Sequence, residues 1–209
     1  MKIIEPSFSW LGGKCPNGPE ILANIATAGR VCYQSEPNTS DATFVRKLIE
    51  RGHESVLEHE KISVRIICDR GVSHEIVRHR IASYSQESTR YCNYSKDKFG
   101  NELTFIRPPW VDMDEPDPSL SQMWQVGMSS AELCYRRMIE LGWTPEQART
   151  VLPNSLKTEV VMTANIREWR HFFRLRCSPA AHPQMRQIAN MMLAGFKEAV
   201  PVIFDDLEV

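Results

Sequence analysis

Two adjoining stretches decide the fold class. The first is Leu156-Lys157-Thr158-Glu159-Val160-Val161-Met162-Thr163-Ala164; after Asn165 comes the second, Ile166-Arg167-Glu168-Trp169-Arg170-His171-Phe172-Phe173-Arg174-Leu175. In the first, Leu156, Thr158, Val160 and Met162 alternate with Lys157, Glu159, Val161 and Thr163, the period of two of a strand with unlike faces. In the second, Arg167, His171 and Arg174 fall at i, i+4 and i+7, while Ile166, Trp169 and Phe173 fall opposite. That is the period of an amphipathic helix, basic above and apolar below. The chain thus runs from a strand straight into a helix, which requires a mixed architecture.

Working outward, the same reading extends the pattern. Ile62, Val64, Ile66 and Cys68 alternate through residues 61–68 and predict a second long strand. Shorter strands are expected at residues 2–8 and 104–106, the latter closed by Pro108 and Pro109. Helices are expected at residues 19–32, 41–51, 71–78, 120–141, 145–150 and 182–200. The second of these has Ser40 or Asp41 as its cap and Gly52 as its stop. In the helix over 120–141 the stripe Trp124, Met128, Ala131, Tyr135 and Met138 faces inward, and in the last helix Met185, Ile188, Ala189, Met192 and Phe196 do so. Residues 110–119, acidic and rich in proline, read as a surface loop. The expected class is α/β of the α+β type, a mixed sheet flanked by helices. There is neither a regular βαβ period nor a G-x-G-x-x-G fingerprint, so a bound dinucleotide would not be held in the Rossmann manner. No boundary stands out, and residues 1–209 are expected to form one domain.

Composition narrows the function. A net charge of −1 gives no global basic field of the kind nucleic-acid binders carry. No stretch approaches a membrane span, and the first ten residues lack the apolar run of a signal peptide. The six cysteines form no C-x-x-C pair and are expected to be reduced, mostly packed as small hydrophobes, in a cytoplasmic protein. Arginine outnumbers lysine about two to one and clusters locally.

The densest polar run is Arg78-His79-Arg80-Ile81-Ala82-Ser83-Tyr84-Ser85-Gln86-Glu87-Ser88-Thr89-Arg90-Tyr91. Guanidinium groups suit phosphate, hydroxyls suit sugar or base edges, and aromatic rings stack. Such a run describes a pocket for a planar, phosphorylated ligand; a surface arginine patch is the plainer reading.

Arg78-His79-Arg80, seven residues, then Ser88 resembles the R-H-R-x7-S signature of flavin-dependent thymidylate synthases, and Arg90 and Tyr91 continue the likeness. Gly52-His53-Glu54-Ser55-Val56-Leu57-Glu58-His59 is similar to the family's flavin-contacting segment. Ala148-Arg149-Thr150-Val151-Leu152-Pro153 is similar to its A-R-x-x-L-P segment, and Asn165, Arg167, His171, Leu175 and Arg176 to its N-x-R…H…L-R helix. His182 falls where the family has a histidine at the start of the last helix. The likeness runs from about residue 20 to the C-terminus.

The resemblance implies a non-Rossmann flavin fold and the reductive methylation of dUMP to dTMP. The carbon would come from 5,10-methylenetetrahydrofolate and the hydride from NADPH by way of tightly bound FAD. It implies dUMP contacts from Glu75, Arg78, Gln86, Glu87, Ser88, Thr89, Arg90, Arg149 and Arg176. It implies FAD contacts from His53, Ser55, Glu58, Arg78, His79, Arg80, Ile81, Asn165, Arg167, His171 and Leu175. Arg176 is the expected catalytic residue, its fixed charge drawing electron density from the pyrimidine. Ser88 lacks a base at fixed spacing and reads as a ligand rather than a nucleophile. Cys177 reads as packing. His53 and His59 lack a consistent third ligand, so no metal is expected. The family works as a homotetramer with sites at subunit interfaces, and the same is expected here, with no nucleic-acid or membrane partner. Two rival readings are an arginine-rich nucleic-acid-binding module and a flavoprotein of this fold making another 5-substituted pyrimidine.

Overall fold

In a computed structural model of the chain, residues 1–34, 36–112 and 119–207 are described. Helices and strands are mixed without βαβ repetition, so the class is α+β, as the two periods require. The strands are β1 (Lys2–Ile4), β2 (Ser7–Trp10), β3 (Lys61–Asp69), β4 (Ala82–Gln86), β5 (Thr104–Ile106) and β6 (Lys157–Asn165). The helices are α1 (Gly18–Tyr33), α2 (Asp41–Glu50), α3 (Arg70–Ile76), α4 (Ser119–Glu140), α5 (Pro145–Ala148), α6 (Ile166–Arg176), α7 (Pro183–Ala199) and α8 (Pro201–Phe204). The strands form two sheets rather than one: a parallel pair β1–β5, and four strands in the order β2-β3-β6-β4.

One expectation about strands is corrected, and one strand was not foreseen. The single strand over residues 2–8 is two, β1 and β2, assigned to different sheets. Pro6 lies between them and has no N–H to continue a ladder. The polar run of residues 78–91 contains β4, which polar composition concealed: its hydroxyl-rich residues alternate between half-buried and exposed. Of the expected loop at residues 110–119, positions 113–118 lie outside the described residues.

Contacts divide the chain into two compact units. The first comprises Met1–Ser7, Ile66–Val77 and Ser85–Val160. Its core gathers Tyr94, Leu103, Phe105, Tyr135, Ala148 and Leu156, with Trp124, Met128 and Met138 of α4 packed against it. The inward stripe foreseen for α4 is therefore real. One polar residue joins it: Glu132 is buried, and its carboxylate accepts the Leu103 N–H at 2.8 Å.

The second unit comprises Phe8–Arg65, Arg78–Tyr84 and Val161–Val209. Helix α2 begins where Ser40 Oγ accepts the Thr43 N–H, and ends at Gly52, whose φ of 72° no branched residue adopts without strain. Helix α6 starts at Asn165, whose side chain accepts the Glu168 N–H at 2.8 Å. Its apolar face, Ile166, Trp169, Phe172 and Phe173, is buried, and the Trp169 indole N–H donates to the Ile62 carbonyl at 3.0 Å. Phe173 and Phe196 of α7 meet edge to face at 5.0 Å, and Phe204 of α8 closes the cluster. Met185, Ile188, Ala189, Met192 and Phe196 are fully buried, as the spacing in α7 predicts.

All six cysteines are free. Only Cys68 and Cys177 are buried; Cys15, Cys32 and Cys134 are exposed and Cys92 is intermediate, so packing explains fewer of them than expected. Among the described residues no helix is long and apolar enough to cross a membrane.

Candidate active site

In the second unit, the outward face of α6 and the 3-10 turn Glu54–His59 form a cavity of about 470 Å³. Glu54, Glu58, Ile81, Asn165, Arg167, Glu168, His171 and Arg174 line it. Five of these, Glu58, Ile81, Asn165, Arg167 and His171, are residues the family resemblance links to the flavin, and they come from three separate stretches of sequence. The cavity is polar and of mixed charge. Arg167 donates to Glu58 at 2.6 Å, and Arg174 donates to Glu54 at 2.9 Å. The Arg167–Glu58 pair is about half exposed on both sides, where water screens the charges and leaves little net attraction. An incoming anion can therefore recruit Arg167 without breaking a strong contact. A donor set of two guanidiniums, an imidazole and an amide suits a diphosphate. The volume falls in the range of ligand pockets and accommodates part of a dinucleotide.

Glu54 was not foreseen as a site residue. It accepts from Arg174 and from Arg170 Nε at 3.3 Å, with Arg167 Nε at 4.0 Å. Burial raises its pKa, but the hydrogen bond and charge of Arg174, with those of Arg170, outweigh burial and hold the carboxyl below its usual range. Arg170 was also missed, although it sits in the basic helix. It is 1% exposed and pairs with Asp206 through two bonds of 2.7 and 2.6 Å, donating as well to the Ile203 carbonyl. The sequence signal was faint, an arginine flanked by Trp169 and His171 with no acid at helical spacing C-terminal to it.

The R-H-R triplet divides by direction. Arg78 and Arg80 are exposed, whereas His79, in the turn and loop between α3 and β4, is 5% exposed. His79 packs on the Phe172 ring at 4.8 Å and its carbonyl accepts the Tyr84 hydroxyl. Its Nδ1 lies 2.9 Å from Glu168 Oε1, and Arg176 Nε donates to its Nε2 at 3.0 Å. Both ring nitrogens are thus engaged, which places His79 beneath the surface that its neighbours present. Burial lowers its pKa; the Glu168 hydrogen bond opposes that shift and the Arg176 charge adds to it, leaving the ring neutral at pH 7. Arg176 itself is half-buried, and Leu175 and Ile81 expose apolar side chains.

His79, Glu168 and His171 also bring three ligand atoms within 4.8 Å of one another. Tetrahedral zinc with bonds of about 2.0–2.1 Å would hold its ligands roughly 3.4 Å apart. Here the His79 Nδ1 already faces the Glu168 carboxylate and its Nε2 accepts from Arg176, so both ring nitrogens are taken up by protein partners. His53 and His59, considered for a metal from sequence, are both exposed, as is Ser55.

In the first unit, the residues linked to dUMP fall into a supporting set and a presented set. The Gln86 amide donates to Ser73 Oγ at 2.9 Å and to Thr158 Oγ1 at 3.2 Å. Glu87 accepts from the Tyr94 hydroxyl at 2.8 Å and from Lys157 at 2.7 Å. These two side chains are spent on fixing the turn that follows β4. Thr89 is buried, with Arg149 Nη1 donating to its hydroxyl at 3.4 Å. Ser88 Oγ accepts the Arg90 N–H at 3.3 Å. Arg90 and Arg149 are exposed, and Arg90 pairs with Glu146 at 2.7 Å while lying over the Tyr91 ring. Glu75, on α3, is half-buried. The resemblance therefore assigns flavin contacts only to residues of the second unit, and dUMP contacts to the first except for Arg78 and Arg176.

Cys177 follows Arg176 but is 3% exposed, and burial pushes its thiol up to about 11. A thiolate nucleophile there is disfavoured.

The sequence model of the family described as thymidylate synthase complementing protein matches residues 17–202. A relative from Geobacter sulfurreducens, named flavin-dependent thymidylate synthase, is 38% identical over 198 residues, covering 90% of this chain and 82% of its own. One of the same name from Mycobacterium avium is 34% identical over 228 residues, covering 99% and 86%. Another, from Mycolicibacterium gilvum, is 34% identical over 208 residues, covering 90% and 80%.

Proposed function

This chain belongs to the flavin-dependent thymidylate synthase family, and we propose that it converts dUMP to dTMP with 5,10-methylenetetrahydrofolate as carbon donor, FAD as bound cofactor and NADPH as reductant. It is an enzyme, a methyltransferase. The observation that carries the finer reading is the convergence of Glu58, Ile81, Asn165, Arg167 and His171 on one polar cavity. Arg167, His171 and Asn165 would hold the diphosphate of FAD, with Arg78, Arg80, His53 and Ser55 around it and Ile81 and Leu175 against apolar parts. FAD, when bound and reduced by NADPH, would supply the hydride that passes to the nucleotide.

The chain's own groups bind, orient and polarise. Arg78, Arg90 and Arg149 would neutralise the dUMP phosphate, since a phosphate taken out of water without paired cations costs several kcal/mol. Glu75 would accept a hydrogen bond from the sugar hydroxyl. Gln86, Glu87 and Thr89 contribute by fixing the turn, which presents Ser88 and backbone groups to the nucleotide. Arg176 would lie against the N3–O4 edge of the uracil ring, donating to the O4 carbonyl and stabilising the negative charge that develops across that edge with a cation that keeps its proton at neutral pH. Cys177 takes no part.

The whole chain acts as one family domain in this reading, and the match over residues 17–202 supports it. Leu120, Met123, Val126 and Leu133 expose apolar side chains on α4, which supports subunit contact and the homotetramer. A monomer that binds FAD tightly would defeat the assembly. Free cysteines and the lack of any spanning helix among the described residues agree with a cytoplasmic enzyme.

The test is spectroscopic and chemical. The purified protein should be yellow and bleach with NADPH, then recover colour on addition of dUMP and methylenetetrahydrofolate with stoichiometric dTMP. A colourless protein, or a yellow one forming a different pyrimidine, refutes the reading.

A further inference from the structure

We infer that Glu168 is a positioning residue for Arg176, acting through His79, whose imidazole it orients so that Nε2 receives the Arg176 Nε–H. The inference rests on the proposed role of Arg176 in the synthase reaction. Donor logic fixes every proton in the chain. A guanidinium has only donors, so His79 Nε2, 3.0 Å from Arg176 Nε, must be the acceptor. A neutral ring that accepts at Nε2 carries its proton on Nδ1. Nδ1 lies 2.9 Å from Glu168 Oε1, which must therefore accept.

No other protonation pattern suits these contacts. A protonated imidazole would point N–H at N–H towards Arg176, and a protonated Glu168 would force the proton to Nε2 with the same result. The Nδ1–H form is the less favoured tautomer of free histidine, so a carboxylate is needed to select it. Glu168 and His79 are 7% and 5% exposed, which keeps water from substituting for either partner. Phe172 against one side of the ring, and His171 with ring centroids 5.7 Å away, limit its rotation. The lowered His79 pKa agrees with a ring held neutral. Fixing Nε fixes the plane of the guanidinium, and the direction of its fork decides what it can polarise.

The cavity side of Glu168 makes no demand for an acid, since an anionic ligand there would be repelled by it. Its carboxylate is explained by what it does to the ring.

The experiment labels histidine with ¹⁵N and reads the His79 ring nitrogens in FAD-free wild type, Glu168→Gln and Glu168→Ala. Kinetics with dUMP, FAD content and thermal unfolding are measured beside it. Wild type should show protonated Nδ1 and unprotonated Nε2. Glu168→Gln, whose amide oxygen can still accept from Nδ1, should keep that signature and lie within about threefold of wild-type kcat. Glu168→Ala should move the proton to Nε2 and lower kcat by about 10²-fold, the scale of a misplaced catalytic group, with KM for dUMP and FAD content changing far less. Wild type with its proton on Nε2, or with a charged ring, overturns the inference whether or not any variant folds. So does an active Glu168→Ala with unchanged kcat. Wild type that shows the Nδ1–H signature yet makes no dTMP refutes the proposed reaction and leaves the tautomer selection standing.

Discussion

Asp206→Ala tests how the C-terminal end is tied to the helix that carries the site. In the folded chain Arg170 is 1% exposed and the two Asp206 oxygens take two of its hydrogen bonds, at 2.7 and 2.6 Å. Removing the carboxylate leaves a buried guanidinium with the Ile203 carbonyl and a longer bond of 3.3 Å to Glu54. Breaking a fully buried pair costs about 3–5 kcal/mol. The Asp206 side chain is 51% exposed, so water enters to replace part of what is lost, and the discounted figure is about 2–3 kcal/mol. For a chain of this length that corresponds to a fall in Tm of roughly 4–12 °C.

The pH dependence provides an internal control. The Arg170 hydrogen bond and charge depress the Asp206 pKa below its ordinary 3.8. A depressed acid contributes stability that is fully present above the unfolded value and is lost as pH falls through the folded one. The gap between wild type and variant should therefore be constant from pH 7 to about 5 and shrink below about pH 4. Thermal melts of both proteins across that range, followed by circular dichroism, measure it. A variant within 1 °C of wild type at pH 7, or a gap that grows in acid, refutes the reasoning.

Arg176→Ala should lose at least about 10²-fold in kcat, while Cys177→Ala keeps wild-type kcat and loses about 1 kcal/mol of stability at most; dTMP formation and melts read both. The opposite pattern would make the thiol the reactive group. Arg90→Ala should raise KM for dUMP by tenfold or more with little change in Tm, because its bond to Glu146 is half exposed on both sides; kinetics against dUMP concentration decide it.

Much of the architecture was legible because period reports burial directly. Thr158, Val160, Met162 and Ala164 are the buried positions of β6, and Ile166, Trp169 and Phe173 are buried in α6, as alternation and helical spacing predict. The division into two strands at Pro6, and the presence of β4 in a polar run, escaped because short half-exposed strands carry no hydrophobic signal. The motif identified the family, and its residue types named the chemistry.

By itself the sequence determined the class of fold, the family and the basic face of α6, since these follow from local periodicity and from the identity of side chains at fixed spacing. Only the tertiary structure decided which polar residues are buried and what they hold. Glu54, Glu168 and Arg170 read as an ordinary charged turn and helix in one dimension. They become the ties between the turn, the helix and the C-terminal residues of the second unit once distant segments are brought within hydrogen-bond range. A buried charge is defined by its partners, and partners separated by 36, 89 or 116 residues are chosen by packing rather than by spacing.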